Sequence, residues 1–159
     1  MKNHPELPSP VIAVMTSRDA HQIYEVMRDA ASGRRRHLPP GVGDVEDLLA
    51  IMRGGVAFFV AYVDGQPVGC LGYRWERATL RIFHVAVKEQ HQRLGVGRRL
   101  VQAVESVGFA LGTTTVSVEV GEEGMELPFE RFGYARLSDA RAAERVTLRK
   151  ALHDRVVRA

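Results

Sequence analysis

The sequence predicts a layered α/β domain with a mixed, mostly antiparallel central sheet flanked by helices on both faces. Three observations lead there. The chain has 159 residues, 45% hydrophobic and 26% charged, enough for one substantial core in an ordinary globular domain. Strand-like and helix-like apolar patterns follow one another in the order β-α-α-β-β-β-α-β-α-β, which suits a sheet covered by helices. Asp64-Gly65 joins two β-rich runs, and Asp-Gly in that setting is a strong hairpin signal, so part of the sheet is antiparallel.

Residues 1–9 hold two prolines, with Pro10 directly after, and read as a flexible N-terminal tail, leaving 10–159 as a single domain. Val11 to Met15 is a short apolar strand. From Asp19 to Ala31 the residues Ile23, Val26, Met27 and Ala30 share one helical face. Ser32 to Gly43, with glycine, paired prolines and an arginine run, is a loop. Asp44 caps a second helix with Val45, Leu48, Leu49 and Met52 on its apolar side, ended by Gly54-Gly55. Val56–Val63 and Val68–Tyr73 form the hairpin around Asp64-Gly65-Gln66-Pro67, and Thr79–Val87 is its third antiparallel neighbour. A long helix follows with Val96, Leu100, Val101, Val104, Val107 and Leu111 on one face. Thr114–Val120 is a strand, Met125–Phe132 a short helix stopped by Gly133, Tyr134–Leu137 a further short strand, and Val146–Lys150 the final strand.

Composition narrows the function classes. The formal charge is +3 and the densest basic run, Arg34-Arg35-Arg36-His37, is short and lies in a loop. A nucleic-acid binder concentrates such charge on one face, so nucleic acid is not the expected partner; a basic rim that attracts anionic substrates is the alternative to a solvated loop. No apolar run reaches the length of a membrane span, and the first residues lack a signal-peptide pattern. One cysteine, Cys70, excludes an internal disulfide and fits a cytoplasmic location. Its apolar surroundings make it a buried structural thiol rather than a nucleophile.

The most informative segment is Gln92-Arg93-Leu94-Gly95-Val96-Gly97, between a strand and a helix. Glycines allow close backbone approach to a ligand, and the first helical turn offers N–H groups without intrahelical partners at the positive end of the dipole. Such a junction holds a phosphate or pyrophosphate, or is an ordinary strand-to-helix turn; the local pattern alone leaves both open. A dinucleotide fingerprint is not met, because Gly95-x-Gly97 is followed by Arg98, Arg99 and Leu100 without the third glycine. The Gly-Lys-Ser/Thr ending of a Walker loop is absent.

Gln-x-x-Gly-x-Gly at the head of this helix, in this element order, resembles the GNAT family of acetyl-CoA-dependent N-acetyltransferases. Gln92, Gly95 and Gly97 match the family motif, Val85-Ala86-Val87 stands at its cofactor strand, and Phe129-Glu130-Arg131-Phe132-Gly133-Tyr134 looks like its Tyr-Glu-Lys-Leu-Gly-Phe segment. The resemblance runs from about Val11 to about Leu152 and implies the acyl-CoA N-acyltransferase-like fold. It assigns the CoA pyrophosphate to backbone N–H groups of Gln92, Arg93, Leu94, Gly95, Val96 and Gly97, with Arg98 close by. Backbone groups of Val85 and Val87, with Ala86 between them, would pair with the pantetheine arm as an added strand. No metal is implied.

Acetyl transfer to an amine requires removal of an amine proton, stabilisation of the carbonyl oxygen and a good leaving thiolate. A backbone N–H near Val87 would polarise the carbonyl. Phe129, aligned with the tyrosine that often protonates the thiolate in the family, has no proton to give, and the resemblance leaves it as a cofactor-binding residue. Arg81 and Phe83 stand where some members place a glutamate base; His84 and Glu119 are the catalytic candidates, and a water chain to bulk solvent is also sufficient. His84 has a suitable ordinary pKa near 6.5, but strand alternation turns it to the opposite face unless a bulge alters the parity. Glu122 and Glu123, just past the Glu119 strand, are further places to meet a cationic amine, or simply a solvated turn.

By the same resemblance the acceptor enters near Tyr24, Arg28 and the loop Arg34 to Leu38. Trp75, with Arg74 and Arg77, borders the same opening or a homodimer contact. The expected function is N-acetyl transfer from acetyl-CoA to a primary amine of a small molecule or peptide. The alternative is a non-catalytic acyl-CoA-binding module serving as a sensor or partner.

Overall fold

The computed structural model describes residues 9–32, 38–39, 41–121, 128–137 and 145–152. Among these residues seven strands form one sheet in the order β1-β2-β3-β4-β5-β7-β6. They are β1 (Val11–Met15), β2 (Ala57–Val63), β3 (Gln66–Glu76), β4 (Thr79–Val87), β5 (Thr115–Gly121), β6 (Ala135–Arg136) and β7 (Arg145–Ala151). The helices are α1 (Ala20–Ala31), α2 (Val45–Arg53) and α3 (Val96–Ala110). All neighbouring strands are antiparallel except β4 and β5, which are parallel because α3 carries the chain back between them.

Strand alternation divides the apolar residues between two cores. On one face Leu71, Leu80, Ile82, Val116 and Val118 pack with Val96, Leu100, Val101 and Val104 of α3. On the other, Phe58, Val60 and Cys70 pack with Ile23, Val26 and Met27 of α1 and Leu48 of α2. Each fully buried side chain of this size contributes roughly 1.5–3 kcal/mol, so the helices are held by their apolar stripes. Leu111, expected on the apolar face of α3, is instead 55% exposed; it caps the helix C-terminus, where the chain turns away from the sheet.

Asp44 accepts a hydrogen bond from the Asp47 N–H at 2.9 Å, the expected cap of α2. The first helix begins later than the sequence suggests, because Ser17–Asp19 form a 3-10 turn closed by a Thr16/Asp19 capping box. Asp64 and Gly65 both have positive φ, 50° and 74°, as a two-residue hairpin turn of the inverted type requires. The sequence places Gln66 and Pro67 in the turn, whereas β3 begins at Gln66 and extends through Trp75 to Glu76. The strand accommodates Pro67, which has no N–H, beside an irregularity opposite Ala61 and Tyr62. Phe129–Phe132 form a 3-10 turn ended by Gly133 at φ 91°; residues 125–127 of the expected helix lie outside the described residues.

Candidate active site

The site is built on an irregularity in β4. Cys70 pairs with Ala86 and Gly72 with Phe83, so Leu71 alone faces the two residues His84 and Val85. His84 is the bulged residue, at φ 48°. One extra residue reverses the side-chain parity of the strand. Val85 and Val87 pack toward the α3 core, while Phe83 and Ala86 pack toward the α1–α2 core. The His84 ring joins the latter side, stacked against Phe58 at 6.5 Å and beside Phe83 at 6.0 Å. Simple alternation would have put His84 and Phe83 on opposite faces.

A parting of strands lies at the same level. The parallel pairing of β4 and β5 ends at Ile82 and Val118. Beyond it, Glu119, Val120 and Gly121 remain paired to β7, while Phe83–Val87 have only β3 as a strand neighbour among the described residues. The edge of β4 facing β5 is therefore open along this segment, with backbone donors and acceptors for an added extended chain.

The turn leading into α3 is tied to the end of that open segment. Gln92 Nε2 donates to the Val87 carbonyl at 3.0 Å, a structural tether that uses the glutamine side chain rather than leaving it for a ligand. Arg93 at φ 63° and Gly95 at φ 84° are both left-handed, and Leu94 between them is not. Alternation of this kind gathers successive N–H groups toward a common point that favours an anion. Arg99 N–H bonds back to the Gly95 carbonyl, closing the first turn of α3. The N–H groups of Val96, Gly97 and Arg98 precede it and have no intrahelical partner. Arg93, Leu94, Gly95 and Arg98 are exposed, whereas Val96 and Gly97 are buried. A Cβ on Gly95 would meet nothing within 4 Å, so glycine is needed there for its φ, and the space in front of it is open.

Phe129 is buried, edge-on to Phe132 at 6.1 Å and to Tyr134 at 5.3 Å. Its ring completes the core beneath α3. Tyr134, which ends the Phe129–Tyr134 segment, has a buried hydroxyl without a hydrogen-bond partner among the described residues. Burial first, and then the charge of Glu105, hold its phenol well above the ordinary range.

The catalytic candidates differ in setting. Burial lowers the pKa of His84, so its imidazole is neutral at pH 7. Glu119 lies on β5 just past the last β4 pair, and its Oε1 is engaged by Arg81. Arg81 and Arg74 each hold a guanidinium 5.2 Å from the Phe83 ring centre, and Glu76 is paired with Arg74. Cys70 is fully buried, which pushes its thiol up to about 12 and leaves it a core residue. Glu122 and Glu123 lie outside the described residues.

On the sheet face away from α3, Arg77, Arg81, Ser117, Glu119, Thr147 and Arg149 contribute to a pocket of about 330 Å³. The sequence shows its strand residues as the polar half of alternating patterns, which ordinarily mark a solvated face; only the sheet order brings β4, β5 and β7 together. Trp75 alternates with Arg74 and Glu76 and so takes the face opposite this pocket, 58% exposed. Tyr24 donates to the Gly43 carbonyl at 3.2 Å, tying α1 to the start of α2. Arg28 is exposed, and residues 33–37 lie outside the described residues. Among the described residues no group of three His, Cys, Asp or Glu side chains is placed to hold a metal ion. No helix among them is long and apolar enough to cross a membrane.

No curated protein sequence is significantly similar to the chain. The fold is shared with solved acetyltransferases. The ribosomal-protein-S18-alanine N-acetyltransferase of Escherichia coli has a TM-score of 0.71 at 14% identity, covering 91% of this chain and 94% of its own. Ard1 of Thermoplasma volcanium gives 0.71 at 19% identity, with 91% and 99% covered. The PaiA N-acetyltransferase of Thermoplasma acidophilum, solved in complex with coenzyme A, gives 0.69 at 16% identity, with 90% and 99% covered. The model of the acetyltransferase (GNAT) family matches residues 20–134, most of the chain. With its bulged and parted β4 and its Gln92-to-Gly97 turn, the chain belongs to the GNAT acetyltransferase family.

Proposed function

We propose that this protein moves an acetyl group from acetyl-CoA to a primary amine of a small molecule or peptide, by direct attack in a ternary complex. The observation that carries the reading is the open edge of Phe83–Val87, which ends at the carbonyl that Gln92 ties to the α3 turn. An extended chain laid along that edge leads to a cluster of N–H groups suited to pyrophosphate. Backbone groups of Val85 and Val87 would hold the pantetheine arm, and N–H groups from Gln92 to Arg98 the pyrophosphate. Phe129 supports this arrangement through the core beneath α3. We further propose that residues 10–159 act as one functional domain, with 1–9 as an appended tail.

The bound thioester supplies an activated acetyl group, and the residues around it supply the remaining requirements. A backbone N–H near Val87 polarises the carbonyl. Between the two proton acceptors, His84 suits the base, because it is neutral at pH 7 and lies beside the parting. Glu119, with Oε1 held by Arg81, suits an electrostatic role toward the incoming ammonium. Phe129 donates no proton. None is demanded, since an ordinary thiol has a pKa of about 8.5 and a released thiolate recovers its proton readily from water near neutral pH.

The test is a thermal-shift titration with acetyl-CoA against an adenine-nucleotide control, followed by CoA release across an amine panel. At about 100 times the dissociation constant a ligand bound only by the folded state adds roughly 2.7 kcal/mol, or several degrees for a domain of this size. A rise with acetyl-CoA and release with at least one amine support transfer. Saturable binding without release across the panel overturns transfer in favour of an acyl-CoA-binding module.

A further inference from the structure

The pocket beside the parting has a charge pattern that restricts the acceptor. Arginines outnumber carboxylates here: Glu76 is paired with Arg74 and lies 3.9 Å from Arg81, and Glu119 engages Arg81 through Oε1. Arg77 and Arg149 also line the pocket, and neither has an ion-pair partner among the described residues. Both are exposed, and Arg77 is held at the β3–β4 turn with φ 57°. Among the described residues the pocket therefore carries two guanidinium groups without a carboxylate partner. With a volume of about 330 Å³, it lies at the small end of the range for small-molecule sites.

The register places these charges relative to the reaction. Glu119 is opposite Thr147, and Arg149 is opposite Ser117, so Arg149 is the diagonal neighbour of Glu119 across β5 and β7. Diagonal neighbours of this kind stand about 7–8 Å apart at Cα. Glu119 lies at the parting and Arg149 farther along the pocket, toward Arg77. A molecule with an ammonium at one end and an anion a few atoms away spans that distance. Guanidinium groups bind carboxylate and phosphate through paired N–H donors, and both anions are met by the same geometry.

Resting on the acetyl-transfer reading above, we propose that the acceptor is a small amine that also bears a carboxylate or phosphate. Its anion is bound by Arg149 and Arg77, and its ammonium is presented at Glu119. Transfer breaks the thioester C–S bond and forms an amide C–N bond. The ammonium first gives up one proton to His84 or solvent, which frees the attacking lone pair; a second N–H proton passes to solvent as the amide forms, and the C–S bond electrons leave with the CoA thiolate.

The test measures CoA release from acetyl-CoA with alanine, γ-aminobutyrate and aminopropyl phosphate, each against the matching amine without the acid group (ethylamine, butylamine, propylamine). At least one acid-bearing amine should exceed its match by about tenfold in kcat/KM, as expected from one charge-assisted interaction. Which anion gives the preference identifies carboxylate or phosphate. In Arg149→Gln, or in Arg77→Gln, that ratio should shrink several-fold while the apo melting temperature confirms a folded protein. Ratios near one, a ratio untouched by both variants, or no reaction of any acid-bearing amine while acetyl-CoA still raises the melting temperature would each overturn the proposal. Loss of the acetyl-CoA shift itself would instead overturn the reading on which it rests.

Discussion

Arg81 on β4 reaches diagonally to Glu119 on β5, pairing Nη2 with Oε1 at the level where the two strands separate. The ion pair spans the last parallel register, and immediately beyond it the open edge of Phe83–Val87 begins. One carboxylate thus marks the inner end of the gap and one wall of the neighbouring pocket.

Glu119→Gln removes the charge and keeps the shape. Both partners are about a third exposed, so the pair contributes at most about 1 kcal/mol, and the melting temperature should fall by only roughly 1–3 °C. Acetyl-CoA binding should persist. The kcat/KM for the amine should fall about tenfold, the loss expected for one hydrogen bond to a charged group. Unchanged amine kinetics would remove Glu119 from the site.

Gly95 separates a backbone requirement from a charge requirement. Its φ of 84° costs an L residue about 1–2 kcal/mol, while open space around it imposes no clash. Gly95→Ala should lower the apo melting temperature by a few degrees and weaken acetyl-CoA binding. Gly95→Asp, whose side chain tolerates the left-handed region, should be similarly stable and yet lose the acetyl-CoA shift, because a carboxylate faces the bound pyrophosphate. An undiminished shift in Gly95→Asp would move the pyrophosphate away from this turn.

His84 should make stability depend on pH in a definite direction. Its folded pKa lies below 6.5 because burial disfavours the imidazolium. Below about pH 6.5 the unfolded chain takes up a proton that the folded one resists, so stability is full above that pH and declines as the pH falls through it. His84→Asn keeps a residue suited to φ 48° and should flatten this part of the curve. As a base replacement it should also lower kcat/KM about 100-fold or more. A melting-temperature series across mildly acidic pH and a pH–rate profile check both halves.

Gly72 lies beneath the bulge. It pairs with Phe83, and a Cβ there would come within 2.9 Å of the Phe58 ring, which stacks on His84. Gly72→Ala should therefore cost about 1–3 kcal/mol by overpacking and disturb His84 through Phe58. Chemical denaturation measures the first effect, and the pH dependence of activity the second. A neutral substitution would show that Phe58 has room to move.

The amino-acid order by itself determined the element sequence, the Asp64-Gly65 turn, the Asp44 cap and the apolar stripe from Val96 to Val104, because each is a local matter of backbone preference or periodicity. The glycine turn before α3 was likewise legible, since φ 84° at Gly95 is a requirement of one residue. The tertiary structure alone decided the face of His84, which depends on Leu71 opposing two residues of another strand. It also turned Gln92 into a tether for Val87, paired Glu119 with Arg81, and gathered Arg77 and Arg149 at one pocket. These depend on register and strand order, which arise from the pairing of distant segments and leave no periodic trace in either segment alone.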